Sequence, residues 1–137
     1  MATPTRRNFV RLAGALLATA GITLLSKNAG AAAPKKNMFV HQVYFWLKQS
    51  GNEADKQKLI EGLQTLIKIK TIKMAHIGQP AGSTRDVVDG SFAVSWLLFF
   101  KDKAAQDSYQ QDPVHLEFVK NYSALWERVV VYDSIAV

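Results

Sequence analysis

Cysteine is absent from this 137-residue chain. Its absence excludes disulfides, thiolate zinc sites, iron–sulfur clusters, cysteine nucleophiles and acylated-cysteine anchors, whatever the compartment. The sequence also lacks a Ser-His-Asp pattern, the paired acids of glycoside hydrolases and a phosphate-binding glycine loop.

Acidic residues are missing from the first 31 positions, which carry Arg6, Arg7, Arg11 and Lys27. These four account for most of the formal charge of +6, since the other 13 basic residues face 11 acidic ones. After residue 37 the sequence shows no block of Lys and Arg interleaved with aromatic side chains. We therefore expect no nucleic-acid partner.

The chain also lacks a long hydrophobic run near its start. The apolar stretch 12–25 has 14 residues and is diluted by glycine and threonine, whereas a bilayer-spanning helix needs about 20. We expect no permanent anchor and only transient contact with a membrane, during export. The alternative of an N-terminal helix packed on the domain fits poorly, because this stretch has no polar face at helical spacing.

The apolar stretch lies between Arg6-Arg7 and the small residues Ala29 and Ala31. A basic region, a hydrophobic region and a small-residue cleavage site follow one another in the order of an export signal. The arginine pair, with Phe9 two positions after it, resembles the bacterial twin-arginine motif. This pattern predicts a periplasmic or secreted protein.

The export signal sets the expected division of the chain into three parts. These are a cleaved signal at 1–31, a polar lead-in at 32–37 and one domain at 38–137. Hydrophobic residues make up 48% of the sequence and charged residues 20%. This composition suits one globular domain with a real core.

Hydrophobic periodicity divides the domain into strands and helices. The expected strands cover 38–47, 71–77, 91–100 and 128–135, and the expected helices cover 53–67, 103–110 and 113–126. Helix starts are indicated by Asn52, Asp102 and Asp112 as caps and by Pro113 at a first helical position. This order predicts an α+β, ferredoxin-like βαββαβ fold with helices on one face of a four-stranded antiparallel sheet.

A sheet with helices on one face leaves its other face bare. The strands are apolar on both sides, so the bare face would expose a large aromatic patch. Its candidates are Tyr44, Trp46, Trp96 or Phe99, and Val130 or Tyr132. A second copy of the chain would cover this patch, which predicts a two-fold homodimer whose sheets face each other as a barrel.

Two histidines are expected to point into the space between sheet and helices. Val119, Tyr122 and Trp126 follow His115 at helical spacing, which places His115 on the apolar side of its helix. If the helices cover the strand face that carries His41, the two imidazoles meet across one cavity. Tyr109, in the turn before Pro113, could supply a hydroxyl to its rim.

Such a trio is suited to proton transfer on a carbonyl compound. One imidazole can remove a proton next to the carbonyl, while a Tyr or His donor holds the developing enolate oxygen. The alternative is that both histidines are structural and that Tyr109 only packs. The protein would then be a stress-related binding or interaction protein without catalysis.

Three stretches resemble the stress-responsive dimeric α/β-barrel (Dabb) family across 38–135. They are Phe39 to Phe45, the segment ending in Phe100-Lys101-Asp102, and Tyr109 to Val119, whose Tyr-x-x-x-Pro-x-His-x-x-Phe pattern is the most specific. The family more often has His-Pro-Ala-His where this chain has Asp112-Pro113-Val114-His115, so the first of those histidines is missing here.

The resemblance implies a dimeric barrel and a small apolar carbonyl or aromatic ligand. Some Dabb members are similar to polyketide cyclases, with histidines and a tyrosine at the positions of His41, Tyr109 and His115. Many others have no established reaction. If this chain is an enzyme, the resemblance implies a cofactor-free, cyclase-like lyase or isomerase.

We expect no metal or other cofactor. The third histidine, His76, is on a different strand with no partner at ligand spacing and no nearby carboxylate pattern. Haem is a weaker possibility that other ferredoxin-like dimers suggest, and the sequence singles out no axial ligand for it.

The export hypothesis is tested by replacing both Arg6 and Arg7 with lysine. We expect uncut precursor to accumulate in the cytoplasm, because the twin-arginine route depends on the arginine pair. Cell fractionation followed by mass measurement of the chain reads out both location and cleavage. Undiminished export of the double variant would contradict the twin-arginine assignment.

Overall fold

The computed structural model describes residues 36–137, so the expected export signal lies outside the described residues. Four strands and three α-helices follow one another, with one short 3-10 helix before the last strand. Their bounds are β1 Phe39–Leu47, α1 Glu53–Leu66, β2 Ile72–Gly78, β3 Val94–Phe100, α2 Lys103–Gln111, α3 Pro113–Tyr122, the 3-10 turn Ser123–Leu125 and β4 Trp126–Ile135.

The strands form one antiparallel sheet in the order β2-β3-β1-β4. With α1 between β1 and β2, and α2 and α3 between β3 and β4, this is the ferredoxin-like arrangement. The expected fold class is confirmed. No helix in the described part of the chain is long and apolar enough to cross a membrane.

β1 lies inside the sheet, and its side chains alternate between a buried and a half-buried face. The buried face carries His41 between Phe39 and Val43, and it packs under the helices together with Leu59 and Leu63 of α1. A strand has a side-chain period of two, so all odd positions of β1 share this covered face. His41 therefore lies on the helix side, as the cavity hypothesis requires.

The helices begin where the sequence places them. The side chains of Asn52, Asp102 and Asp112 accept hydrogen bonds from backbone N–H groups of the first turns, at 3.1, 2.9 and 2.9 Å. Each cap satisfies a donor that has no partner within the helix. Gly62 lets α1 and α3 approach, since a Cβ there would lie 2.9 Å from the ring of Tyr122.

Helical periodicity in the sequence misplaces apolar side chains at three points in the chain. Trp126 is the first residue of β4 rather than the end of a helix, because the chain leaves α3 through the 3-10 turn. Ile67 follows the last turn of α1 and is 50% exposed, and the core position is taken by Ile69. Leu116 and Val119 lie on the expected apolar side of α3 but are exposed.

The helix-free face of the sheet, called the open face below, carries the even positions of β1 and their neighbours. The pairing of Tyr44 with Ser95 and of Val40 with Phe99 assigns Phe99 to the open face and buries Trp96 under the helices. The strand pairing thus selects Phe99 over Trp96, which the sequence alone does not distinguish. Tyr44 contacts Phe92 and Tyr132 on this face, with ring centroids 5.0 and 6.2 Å apart.

Candidate functional site

His41, Tyr109 and His115 line one cavity between the sheet and the helices. The cavity has a volume of about 350 Å³ and mostly apolar walls. The ring centroids of Tyr109 and His115 are 4.5 Å apart, and those of Tyr109 and His41 are 6.1 Å apart. The structure thus brings together the three residues that the sequence singles out, with both imidazoles next to the ring of Tyr109.

The cavity wall is formed by β1, β3, α2 and α3, and its mouth by the edge strand β4. Phe45, Trp96 and Phe118 are buried in the wall. Val129 and Val131 of β4 also line the cavity but are 44% and 46% exposed. The cavity therefore opens to solvent between α3 and β4, through an apolar rim.

The break between α2 and α3 fixes the orientation of His115. In a continuous helix the carbonyl of Gln110 would accept from the N–H of Val114. Here Val114 N–H donates to the side chain of Asp112 instead, at 2.9 Å, and the free Gln110 carbonyl lies 3.2 Å from Nδ1 of His115. Since a carbonyl only accepts, Nδ1 carries the proton and Nε2 holds a lone pair.

His115 is held in its neutral form. Burial lowers its pKa, and the nearby His41 adds to the effect, whereas the hydrogen bond to Gln110 and the carboxylate of Asp112 act in the opposite direction. The net effect is a pKa below the usual value of 6.5. A neutral imidazole with a free Nε2 lone pair is a competent general base.

Tyr109 lies on α2, not in the turn after it, and is 1% exposed. The indole N–H of Trp96 donates to its hydroxyl at 3.3 Å, so the hydroxyl proton stays free to be donated elsewhere. Burial raises the pKa of Tyr109 to about 12, and the hydrogen bond from Trp96 opposes this rise. Tyr109 is therefore a hydrogen-bond donor at every physiological pH.

Sequence reasoning missed Asp133, which is the hydrogen-bond partner of His41. The two residues face each other across β1 and β4, and Nδ1 of His41 lies 2.6 Å from Oδ1 of Asp133. A carboxylate accepts, so His41 donates from Nδ1 and directs Nε2 away from Asp133. The only hint in the sequence is an acid that continues the alternate row of Val129 and Val131.

His76 does not belong to this site. It pairs with Leu97 and is exposed on the open face, whereas the cavity is on the other side of the sheet. Among residues 36–137 no group of three or more His, Cys, Asp or Glu side chains is arranged to hold a metal ion.

These features define a ferredoxin-like α+β domain with one histidine-lined pocket between sheet and helices. The sequence profile of the stress-responsive A/B barrel domain, Dabb, matches residues 39–136. This chain belongs to the Dabb family. Among curated proteins none matches the chain significantly.

Solved structures with the same fold cover most of this chain. A Dabb-family protein with a ferredoxin-like fold from Mesorhizobium loti has 20% identity and a TM-score of 0.61, and the match covers 73% of this chain and 97% of that one. A dimeric ferredoxin-like protein of unknown function from Thermobifida fusca has 14% identity and a TM-score of 0.62, with 77% and 96% covered.

A third structure, with the same fold, is that of an enzyme. The hydroxynitrile lyase from Passiflora edulis has 24% identity and a TM-score of 0.64, and the match covers 76% of this chain and 96% of that one. At these identities the likeness shows the fold alone.

The lowered pKa of His115 predicts that the domain loses stability on acidification. Below about pH 6.5 an unfolded His115 takes up a proton, whereas the folded state resists protonation until its lower pKa is reached. Protonation therefore favours unfolding. The stabilisation from the neutral form of His115 is fully present only above about pH 6.5. Thermal melts between about pH 5 and 8 should show the loss, and His115→Gln should reduce it. An unchanged slope in His115→Gln would contradict the account.

Proposed function

We propose that this chain is an exported homodimer that catalyses cofactor-free proton transfer on a small, mostly apolar carbonyl compound. The ligand would occupy the cavity between sheet and helices. The observation that supports this proposal is the convergence of two imidazoles and one buried phenol on a single apolar cavity. A cavity of about 350 Å³ suits a ligand of small-molecule size.

His115 is the proposed base. Its Nε2 lone pair would take a proton from the carbon next to the carbonyl, or from a hydroxyl on the carbon that becomes the carbonyl. The C–H or O–H bond breaks, its electron pair stays on the ligand, and His115 becomes an imidazolium. The apolar wall disfavours the imidazolium, which favours return of the proton to the product.

Tyr109 is the proposed donor to the ligand oxygen. Its hydroxyl receives a hydrogen bond from Trp96 and has one proton to offer. When negative charge develops on an enolate or alkoxide oxygen, this donor stabilises it without being deprotonated, because its own pKa is about 12. The ring packing of Tyr109 against Phe100 and His115 holds the hydroxyl in place before the ligand arrives.

His41 and Asp133 form the proposed second acid–base pair. The Asp133 carboxylate fixes the Nδ1–H tautomer of His41 and stabilises the positive charge that appears when Nε2 accepts a proton. With two imidazoles next to Tyr109, a proton could be removed by one and delivered by the other. Closing a ring from a linear poly-ketone requires such a transfer, and so does releasing cyanide from a cyanohydrin.

Both reactions therefore belong to one class. Each makes or breaks a carbon–carbon bond at a carbon atom that is, or becomes, a carbonyl carbon. In ring closure the enolate carbon attacks a second carbonyl, whose oxygen then takes a proton. In cyanohydrin cleavage the carbonyl forms as cyanide leaves with the bonding electrons and is protonated. The fold shared with the Passiflora edulis lyase supports testing the second reaction beside the first.

We expect His115→Ala and His41→Ala each to lower turnover about 100- to 10,000-fold, the usual contribution of a general acid or base. Tyr109→Phe should lower turnover about 100- to 1,000-fold, the usual contribution of one oxyanion donor. The assay is conversion of a panel of linear poly-ketones and aromatic cyanohydrins. The two histidine variants combined should lose less than the sum of their separate losses.

The control for these variants is His76→Ala, which should keep wild-type turnover. Binding and thermal unfolding are measured on the same proteins. If all variants bind the panel equally and the histidine variants only melt earlier, the histidines are structural. The chain would then be a binding or interaction protein.

The homodimer is supported by the open face and by the relatives. Exposed aromatic and aliphatic side chains, including Tyr132, remain on the open face of a single chain. Structures with this fold from three bacteria are described as dimeric. A stable interface covers about 800 Å² per partner.

A chain beginning at Ala32 should sediment at about twice its own mass at micromolar concentration. Tyr132→Lys should shift it towards monomer, because it places a charge on the open face, which the proposed interface covers. The matched variant Val129→Lys, on the other face of β4, should stay dimeric. A monomeric wild type would contradict the barrel arrangement.

A further inference from the structure

Six lysines collect at one end of the sheet, although they are scattered in the sequence. β1 and β2 begin at this end, α1 and β3 finish there, and α2 begins there. All six side chains are exposed. They form what we call the basic end: Lys36, Lys68, Lys70, Lys73, Lys101 and Lys103.

The basic end carries a clear excess of positive charge. The acids at this end are Asp102, which caps α2, Asp107, which pairs with Lys103 at 2.6 Å, and Asp133, which lies two residues before the end of β4 and accepts from His41. Among the described residues the other five lysines make no salt bridge. At the opposite end of the sheet acids and bases are nearly balanced, with Glu53, Asp55, Asp86, Asp89 and Glu127 against Lys48, Lys56, Arg85 and Arg128.

Aliphatic side chains are exposed among these lysines. Ile67 directly precedes Lys68 and is 50% exposed, and Ile135 at the end of β4 is 59% exposed. Neither is on the open face, which the proposed second copy would cover: Ile67 follows α1, and Ile135 pairs with the buried Phe39. Single-stranded nucleic acid is bound through exposed aromatic rings that stack on bases, and the exposed apolar residues here are aliphatic.

We propose that the basic end docks on the surface of a bilayer with anionic lipid head groups. Clusters of four to eight basic residues bind anionic membranes electrostatically. Exposed aliphatic side chains strengthen such contacts by entering the boundary between head groups and acyl chains. Lys36, the first described residue, lies at this same end of the sheet.

The docking surface is independent of the proposed catalysis. The cavity opens between α3 and β4, on the side of the domain, whereas the basic end lies at the strand termini. A docked domain would therefore keep its cavity mouth free. Apolar ligands that partition into the bilayer would then be concentrated close to the mouth.

The test is co-sedimentation of a chain beginning at Ala32 with lipid vesicles. Such a chain contains every described helix and strand, and the matching region makes up 97% and 96% of two solved chains with this fold. We expect binding to vesicles of phosphatidylglycerol and phosphatidylcholine in equal parts, and little to phosphatidylcholine alone. Binding should weaken steeply with salt, because the Debye length falls from about 10 Å at 0.1 M to about 3 Å at 1 M.

The decisive variant replaces Lys68, Lys70, Lys73 and Lys101 with glutamine. Each lysine near an anionic surface contributes roughly fivefold, so the partition coefficient should fall on the order of several hundred-fold. A control with the same loss of charge away from this end should fall far less: Lys48→Gln, Lys58→Gln, Arg85→Gln and Lys120→Gln. Ile67→Ser should weaken vesicle binding and leave its salt dependence unchanged.

Three outcomes would overturn the proposal. One is an equal loss of vesicle binding in both fourfold variants. That result would show that binding depends on the net charge of the domain and not on the basic end. Another is equal binding to phosphatidylcholine alone. The third is that the domain binds single-stranded nucleic acid more tightly than anionic vesicles and that the basic-end variant loses this binding. That result would identify the basic end as a nucleic-acid surface. Turnover of the basic-end variant in free solution should equal wild type, so failure here is distinguishable from failure of the catalytic proposal.

Discussion

The pairing of β1 with β4 that sets His41 opposite Asp133 is the constraint on which the site depends. A strand has a side-chain period of two, so a slip of one residue would turn His41 to the open face and Gln42 under the helices. The apolar row of Phe39, Val43 and Phe45 resists such a slip, because it would lose its place in the core. Hydrophobic burial thus selects the register, and the register builds the histidine–aspartate pair.

A second local constraint acts on the helical side of the cavity. Asp112 ends α2 and begins α3, and Pro113 has no N–H to continue the helix. The interruption releases the Gln110 carbonyl, which fixes the ring of His115. A capping residue therefore decides which nitrogen of a buried imidazole carries its proton. Burial then keeps that imidazole neutral and keeps the phenol of Tyr109 protonated.

Most of the fold could be predicted from the sequence, because caps and periodicity are local signals. Asn52, Asp102 and Asp112 begin their helices as expected, and the order of the elements is confirmed. The role of Trp126 could not be predicted, because its helical spacing continues past Tyr122 while the backbone has already become extended. Trp96 and Phe99 both suit either face of β3, and only the pairing with β1 separates them.

The site could be predicted only in part. His41, Tyr109 and His115 stand out by residue type and by the family resemblance, but Asp133 becomes a partner only through long-range register. The basic end has no signature in the sequence either, because its six lysines come from three separate segments, at 36, 68–73 and 101–103. What the sequence lacks in each case is the placement of one segment against another.

The central claim is that His115 is neutral, carries its proton on Nδ1 and offers Nε2 to the cavity. The nitrogen chemical shifts of the imidazole rings, recorded near neutral pH on isotopically labelled protein, report protonation and tautomer directly. The account predicts a protonated Nδ1 and an unprotonated Nε2 for His115. A fully protonated ring, or a proton on Nε2, would contradict it.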